Sequence, residues 1–252
     1  MEPLGPGADW REAGAYAPLL DADRPIFAWE WLRRDPGYRA AARQARAGEG
    51  GTDAARWGLL RFEDPDRGAP EARPLWRAGH HPYVLKANAG PSAAPSDTFD
   101  VQRLATLATV YAEHGGGEHW LLSDGLRAIR LDLVDGTATR GPVELHYLLA
   151  GRVSANGPLL ALGRLLALVE TGRFSRTLHP REPRARRWIL ALRAHDALAE
   201  GASQRDIATR LLGDAAAEAR WRVDAASLRS QVQRLVRAAR GFAGGGYRAL
   251  LR

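Results

Sequence analysis

The chain has 252 residues, of which 45% are hydrophobic and 26% charged, and a formal net charge of +7 at pH 7. This size and composition are those of a globular protein with one large or two small domains, and no apolar run reaches the roughly 18 residues that a membrane-spanning helix needs. The chain has no cysteine, which excludes disulfides and thiolate metal sites. Residues 1–4 show no signal-peptide features, so we expect a cytoplasmic protein without a membrane partner.

The positive charge is concentrated in the last third of the chain. Residues 173–252 contain 17 Arg and 7 Asp or Glu, a net charge of +10, whereas the preceding 172 residues contain 19 basic and 22 acidic residues, a net charge of −3. A bias toward Arg codons explains the preference for Arg over Lys but not this segregation. A basic segment on a folded module is typical of a protein that binds nucleic acid.

Residues 1–48 are predicted to be helical and rich in aromatic side chains. In the first clear helix, Phe27 and Trp31 are four residues apart and share one face. Asp35-Pro36-Gly37 ends this helix, and a second short helix is predicted to follow. We interpret the aromatic residues as core, and Trp29, which lies off the Phe27–Trp31 face, as the candidate for a partner contact.

Residues 55–151 are predicted to be β-rich. Short strands are predicted over 57–62, 74–76 and 82–86, followed by a loop over 88–96. The segment 99–114 fits either a helix or a strand.

The clearest β pattern comes next. Trp120-Leu121-Leu122 leads into the turn tripeptide Ser123-Asp124-Gly125, and residues 128–133 then alternate with a period of two. A third strand is predicted over 143–149. Together these strands predict a small antiparallel meander.

Beyond residue 157 only helical signals occur, with helices predicted over 158–170, 184–200, 203–212 and 224–240. The predicted fold class is α+β: a short helical N-terminal region, a small antiparallel β meander, and a C-terminal all-helical domain that resembles a helix-turn-helix. The corresponding domains are predicted as residues 1–48, 55–151 and 157–252.

The last helix has two different faces. Leu228, Val232, Leu235 and Ala239 form one apolar stripe, and no acidic residue follows Asp224. Arg and Gln side chains can pair with base edges, and Arg and Ser can hold phosphates, so the polar face predicts a recognition helix in double-stranded DNA. The candidate DNA-binding residues are Gln204, Arg205, Arg222, Ser227, Arg229, Ser230, Gln233, Arg234, Arg237 and Arg240.

Within this set we expect Arg229, Gln233 and Arg234 to lie closest to base edges. The residues expected to hold the DNA backbone are Arg222, Ser227, Arg237 and Arg240. The connection before the helix, residues 213–223, is longer than the three or four residues of a standard helix-turn-helix. The sequence therefore predicts an enlarged variant of that motif.

A metal site and an enzyme are the alternatives to DNA binding. His114, Glu118 and His119 are close in sequence, but they flank three glycines and match no zinc-enzyme spacing. His195 lies among apolar residues of a predicted helix and is interpreted as an interior histidine. No convergent set of titratable groups can be assembled, so we predict no metal, no cofactor and no catalytic residue.

Two sets of motifs resemble known bacterial families. The first, Asp9-Trp10 with residues 27–39, resembles the transcriptional regulator-like domain of proteobacteria. The second resembles the domain of unknown function found in FseA-like and QseM-like regulators of integrative and conjugative elements. It comprises the segments His119–Gly125, Ser203–Ala208, Trp221-Arg222, Leu228-Arg229, Arg234–Val236 and Gly245–Arg248.

The second family is described as a helix-turn-helix variant. The resemblance therefore implies a DNA-binding transcriptional regulator, expected to control an integrative and conjugative element, with another regulator or RNA polymerase as further candidate partners. Because QseM-like relatives act as antiactivators, it also leaves open a protein-binding antiactivator or co-regulator that shares the fold without binding DNA.

Overall fold

A computed structural model describes residues 8–49, 53–113, 117–213 and 226–252 of the chain. These residues form mixed helical and β structure, which confirms the predicted α+β class. The α-helices are α1 (Ala13–Tyr16), α2 (Arg24–Leu32), α3 (Pro36–Arg46), α4 (Asn156–Thr171), α5 (Ala185–Ala199), α6 (Gln204–Leu212) and α7 (Ala226–Ala243). The strands are β1 (Val84–Gly90), β2 (Thr98–Phe99), β3 (Ala108–Ala112), β4 (Glu118–Ser123), β5 (Ala128–Asp135) and β6 (Val143–Leu148).

The chain divides into two compact units. The first, called here the helical unit, contains the described residues of Met1–Gly50, Asp64–Glu71 and Arg181–Leu250. The second, the sheet unit, contains the described residues of Gly51–Glu63, Ala72–Pro180 and Leu251–Arg252. The division into three consecutive domains stays a prediction.

The N-terminal part of the helical unit follows the predicted pattern. In α2 every residue from Ile26 to Leu32 is buried, as expected for a helix that is apolar almost all round. Asp35 caps α3, because its carboxylate accepts a hydrogen bond from the Tyr38 amide at 2.7 Å. The break predicted after α2 is therefore also the start of the next helix.

The proposed role of Trp29 as a partner contact is wrong. Its side chain is completely buried. The indole Nε1 donates to the Arg67 carbonyl oxygen at 3.0 Å, and the ring packs edge-on against Tyr38 at 5.6 Å. The periodicity of α2 gave no sign that residues 64–71 and α3 cover this side of the helix.

The sheet unit is built on six strands in the order β2-β6-β1-β5-β4-β3. β1 runs parallel to β5, with Val84 opposite Arg130, and the other pairs are antiparallel. Strands β3, β4 and β5 form a meander, and β4 and β5 are joined by the predicted turn at residues 123–125. The strand expected as third member of the meander, β6, pairs with β1 instead, because β1 occupies the position next to β5.

Three local expectations in this unit are corrected. The predicted strands over 57–62 and 74–76 are a 3₁₀ turn at Ala54–Trp57 and a single bridge between Leu59 and Trp76. Their apolar residues lie in the core without joining the ladder. The predicted loop over 88–96 begins inside β1, and the ambiguous segment contains both a 3₁₀ turn, Val101–Leu104, and strand β3.

Helix α4 covers β1 and β5 of the sheet. Its buried residues are Ala161, Leu165 and Leu168, and it ends as predicted at Gly172, whose φ is 67°. In the part of the chain that the structure describes, no helix combines the length and the apolar character needed to cross a bilayer.

Candidate nucleic-acid interface

Helices α5, α6 and α7 pack on one another around a small apolar core. From α7, Val232 and Ala239 are fully buried and Leu235 is 9% exposed. Ile207 and Ala208 of α6 face them and are also fully buried. The stripe predicted for the last helix is thereby confirmed as the side that anchors it.

Helix α6 begins with the predicted capping arrangement. The Ser203 hydroxyl accepts a hydrogen bond from the Asp206 amide at 3.2 Å, and the Asp206 carboxylate accepts one from the Ser203 amide at 2.9 Å. This reciprocal pair satisfies two backbone donors at the helix end. It leaves the side chains of Gln204 and Arg205 exposed in the first turn.

The opposite side of α7 is a polar face, called here the arginine face, in which Arg229 and Ser230 are half-buried and the other members are exposed. At 100° per residue its members span an arc of about 160°. They are Ser227, Arg229, Ser230, Gln233, Arg234, Arg237 and Arg240. Gln233 and Arg237 are exposed near the middle of the arc, whereas Ser227 and Arg234 lie at one edge and Arg229 at the other. From Arg229 to Arg240 the helix rises about 16 Å.

The electrostatic character of this face is uniformly positive. The Arg234 guanidinium donates to the Ser230 hydroxyl at 3.1 Å, which extends its side chain along the helix. Arg237 and Arg240 form no ion pair with any residue that the structure describes. An exposed face with guanidinium groups and no carboxylate attracts phosphate and favours release of its counterions.

Three sequence-predicted features lie outside the described residues: the core residue Trp221, the phosphate contact Arg222 and the helix cap Asp224. They stay predictions. The remaining nine candidate DNA-binding residues lie on two helices, α6 and α7, that contact each other.

Trp10 and Arg11, in the N-terminal segment, form hydrogen bonds at the junction of α5 and α6. The Trp10 indole donates to the Glu200 carboxylate at 2.9 Å, and Arg193 of α5 donates to the Trp10 carbonyl oxygen at 2.7 Å. Arg210 of α6 donates to the Arg11 carbonyl oxygen at 2.9 Å. The two helices are thus held by backbone carbonyls almost 200 residues earlier in the chain.

A buried ionic network links α2 to α5. Arg34 forms hydrogen bonds with both carboxylate oxygens of Asp196, at 2.7 and 2.9 Å, and Tyr16 donates to the same carboxylate at 2.7 Å. Arg34 also contacts Glu30, which is completely buried and receives Arg33 as well. Burial by itself raises the pKa of Asp196, but the charge and hydrogen bonds of Arg34 outweigh it and hold that pKa below its ordinary value.

Aromatic rings brace the C-terminal end of α7. Phe242 stacks on Trp31 with ring centroids 5.0 Å apart, and Trp188 contacts both Phe27 and Phe242 edge-on. Sequence reasoning missed this role of the N-terminal aromatics. The available signal was the position of Phe242, three residues after Ala239, which continues the apolar stripe of α7.

His195 and His119 both contact side chains of the fold. The pKa of His195, whose ring lies edge-on to Trp31 at 5.6 Å, is lowered by burial, in line with an interior histidine. In the sheet unit, His119 Nδ1 lies 2.8 Å from the Asp132 carboxylate and Nε2 lies 3.1 Å from Glu113. The Asp132 hydrogen bond raises the pKa of His119.

Glu118 is the third residue of the metal site considered above. Its buried carboxylate accepts hydrogen bonds from Trp120 Nε1 at 2.9 Å and from the Ala138 amide at 3.0 Å, and also from Thr137. Both carboxylate oxygens of Glu118 therefore already accept hydrogen bonds from other residues of the protein. Across the described ranges, no cluster of three His, Cys, Asp or Glu residues is arranged to hold a metal, and His114 lies outside them.

Two segments match known protein families. Residues 151–252, which include α4 to α7, match a family described as "T6SS, Transcription factor, DNA binding domain". Residues 9–63, which include α1 to α3, match the "Proteobacterial transcriptional regulator-like domain". A search of curated proteins gives no match. The two matches support a DNA-binding regulator of transcription, and both family descriptions are regulatory.

Proposed function

We propose that the protein is a sequence-specific transcriptional regulator that places α7 in the major groove of double-stranded DNA as the recognition helix of an enlarged helix-turn-helix. The observation that supports this most is the arginine face, which is exposed and free of acid on a helix whose other side is firmly packed. Solvent-exposed helix faces usually mix both signs of charge, which lowers self-repulsion. A face of one sign is costly unless it meets a polyanion.

Specific roles follow from position on the helix. Gln233, near the middle of the face, is the residue we assign to a base edge, flanked by Arg229. Arg237, Arg240 and Ser227 hold the DNA backbone, as does Arg222 in the preceding connection. The sequence predicts that Arg234 contacts a base edge, but its position at the rim of the arginine face favours a contact with the DNA backbone.

The second element is α6. Its N-terminal turn presents Gln204 and Arg205, and a helix N-terminus carries free amide donors and a positive partial charge. We assign these two residues to a phosphate near the edge of the groove.

Control of an integrative and conjugative element remains part of the proposal and is supported by the sequence resemblance alone. The same holds for another regulator or RNA polymerase as a second partner. The proposal places the protein in the cytoplasm, where a bacterial chromosome lies.

Salt-dependent DNA binding by the full chain tests the proposal. DNA fragments selected from random sequence would be titrated by fluorescence anisotropy at several salt concentrations. Wild-type protein should bind the selected site with an affinity that falls linearly on a double-logarithmic salt plot, and Arg240→Ala should reduce the slope by about 1. Arg43→Ala, which removes an exposed charge from α3, is the matched control and should leave the slope unchanged.

Absence of salt-dependent binding would contradict the proposal. A stable complex with another regulator in place of DNA would favour the antiactivator alternative. Equal slopes for wild type, Arg240→Ala and Arg43→Ala would remove α7 from the interface.

A further inference from the structure

A small cleft opens between α5, α6 and α7 beside the arginine face. Its volume is about 270 Å³. The lining residues are Arg187 and Leu190 of α5, Leu212 at the end of α6, and Gln231, Arg234 and Leu235 of α7. All of them belong to the helical unit.

Two guanidinium groups line this cleft, and none of the described residues beside them supplies a counter-charge. None of its six described lining residues is acidic. Arg187 is exposed, and neither Arg187 nor Arg234 forms an ion pair with the described part of the chain. Arg234 donates a hydrogen bond to the Ser230 hydroxyl. Both side chains are guanidinium cations, so the cleft attracts an anion.

The rest of the lining specifies which anion fits. Guanidinium groups bind phosphate with paired, charge-assisted hydrogen bonds. The three leucines provide an apolar wall, which suits a group with a carbon skeleton beside its charge. A volume of about 270 Å³ lies below the roughly 300–1,000 Å³ of pockets that enclose a whole drug-sized ligand. The cleft therefore suits one segment of a polymer better than a free metabolite.

We propose that this cleft holds one phosphate of the DNA backbone, with its deoxyribose against the leucines and its oxygens bound by Arg187 and Arg234. This inference rests on the proposed function and adds Arg187, on α5, to the DNA-binding surface. Arg234, at the rim of the arginine face, lines the cleft together with Arg187. The DNA contacts predicted from the sequence lie on α6, α7 and their connection, and none lies on α5.

Adjacent arginines of α5 provide a matched experiment. Arg186 and Arg187 are both exposed and carry the same charge, but only Arg187 lines the cleft. Arg187→Gln should weaken binding of the selected site and of unrelated DNA by a similar factor, roughly tenfold, and reduce the salt slope by about 1. Arg186→Gln should change neither quantity. Far-UV circular dichroism of both variants checks that α5 is retained.

A chemical probe locates the phosphate itself. A set of duplexes would each carry one neutral methylphosphonate in place of a phosphate. With wild-type protein, substitution at one position should weaken binding, and with Arg187→Gln the same substitution should cause no further loss. Such non-additivity identifies a direct pair.

The outcomes separate the two proposals. If wild-type protein binds DNA but Arg187→Gln behaves like Arg186→Gln, the cleft proposal is overturned and the proposed function stands. If wild-type protein shows no salt-dependent DNA binding, the proposed function fails. If inorganic phosphate raises the melting temperature of wild type but not of Arg187→Gln while DNA affinity is the same in both, the cleft binds a free anion, and its assignment to DNA is wrong.

Discussion

Arg34 and Asp196 are 162 residues apart in the chain, yet the guanidinium of one and the carboxylate of the other are joined by two hydrogen bonds. Arg34 lies just after α2, within the segment that matches the regulator-like domain, and Asp196 lies on α5, within the segment that matches the DNA-binding domain. Both residues belong to the helical unit, so this pair joins the N-terminal helices to α5 within that unit, and its two side chains are only 6% and 17% exposed.

Loss of this pair should destabilise the helical unit strongly. Asp196→Asn leaves a buried Arg34 with reduced compensation, and removing one partner of a buried pair costs about 3–5 kcal/mol. Because Asp196 retains some exposure and Glu30 still faces Arg34, we expect the lower part of that range. Urea denaturation followed by tryptophan fluorescence measures the change.

The matched control is an exposed pair of the same unit. Asp21 and Arg181 are joined at the surface, so Asp21→Asn should cost less than about 1 kcal/mol. Equal losses for Asp21→Asn and Asp196→Asn would show that the buried network contributes no more than a surface contact.

Histidine 119 should make part of the stability of the sheet unit dependent on pH. The Asp132 hydrogen bond raises the pKa of His119 in the folded protein above the value of about 6.5 in an unfolded chain. The folded state then holds the proton more tightly, so the contribution is complete below about pH 6.5 and disappears as the pH rises through the folded pKa. The free-energy difference between wild type and His119→Gln should therefore be larger at about pH 5.5 than at about pH 8.

Nuclear magnetic resonance titration of the His119 ring gives an independent measurement. Its midpoint should lie above about 6.5. A midpoint below that value would mean that burial, and not Asp132, dominates this site.

Gln233 should contribute sequence discrimination without contributing charge. Gln233→Ala removes an amide that can pair with an adenine edge, so the preference for the selected site over unrelated DNA should fall by about 1–3 kcal/mol. The salt slope should not change, because no charge is removed. Anisotropy with both duplexes measures the two quantities, and Gln44→Ala on the exposed side of α3 is the control. A uniform loss on both duplexes would contradict a base contact.

Two glycines of α4 should respond in opposite directions to the same substitution. A Cβ added at Gly157 would lie 2.5 Å from the Pro82 carbonyl oxygen, whereas a Cβ at Gly163 would meet nothing within 4 Å. Gly157→Ala should therefore destabilise by more than about 1 kcal/mol, and Gly163→Ala should stabilise by up to about 1 kcal/mol because alanine is the better helix former. Thermal unfolding of both variants tests this, and a loss at Gly163 would show that the position has a contact partner in solution.

Local signals in the sequence predicted the helices well. Three such signals are the cap formed by Ser203 and Asp206, the apolar spacing of Val232, Leu235 and Ala239, and the helix end at Gly172. Each signal acts over one or two helical turns, so a short stretch of sequence is enough to predict the helix. The polar face of α7 follows from the same spacing, which is why it was also predicted.

Contacts between residues that are distant in the sequence could not be predicted from such local signals. Nothing within β6 indicates that its neighbour is β1, because the choice depends on which edge is free when the sheet forms. Trp29 looked available for a partner because its periodicity places it off the main face, but residues 64–71 cover it. Arg187 is one of several arginines in α5, and only the packing of three helices places it in a cleft.

The contacts between the N-terminal residues and α5 join parts of the chain that the ribosome synthesises at very different times. Trp10, Tyr16 and Arg34 leave the ribosome early, but their partners Glu200 and Asp196 are synthesised more than 160 residues later. Contacts between such distant positions form late, after the intervening chain has been produced. A nascent or prematurely terminated chain that lacks α5 contains neither Asp196, one of the two carboxylate partners of Arg34, nor α7. Completion of translation is therefore a condition for forming the proposed DNA-binding surface.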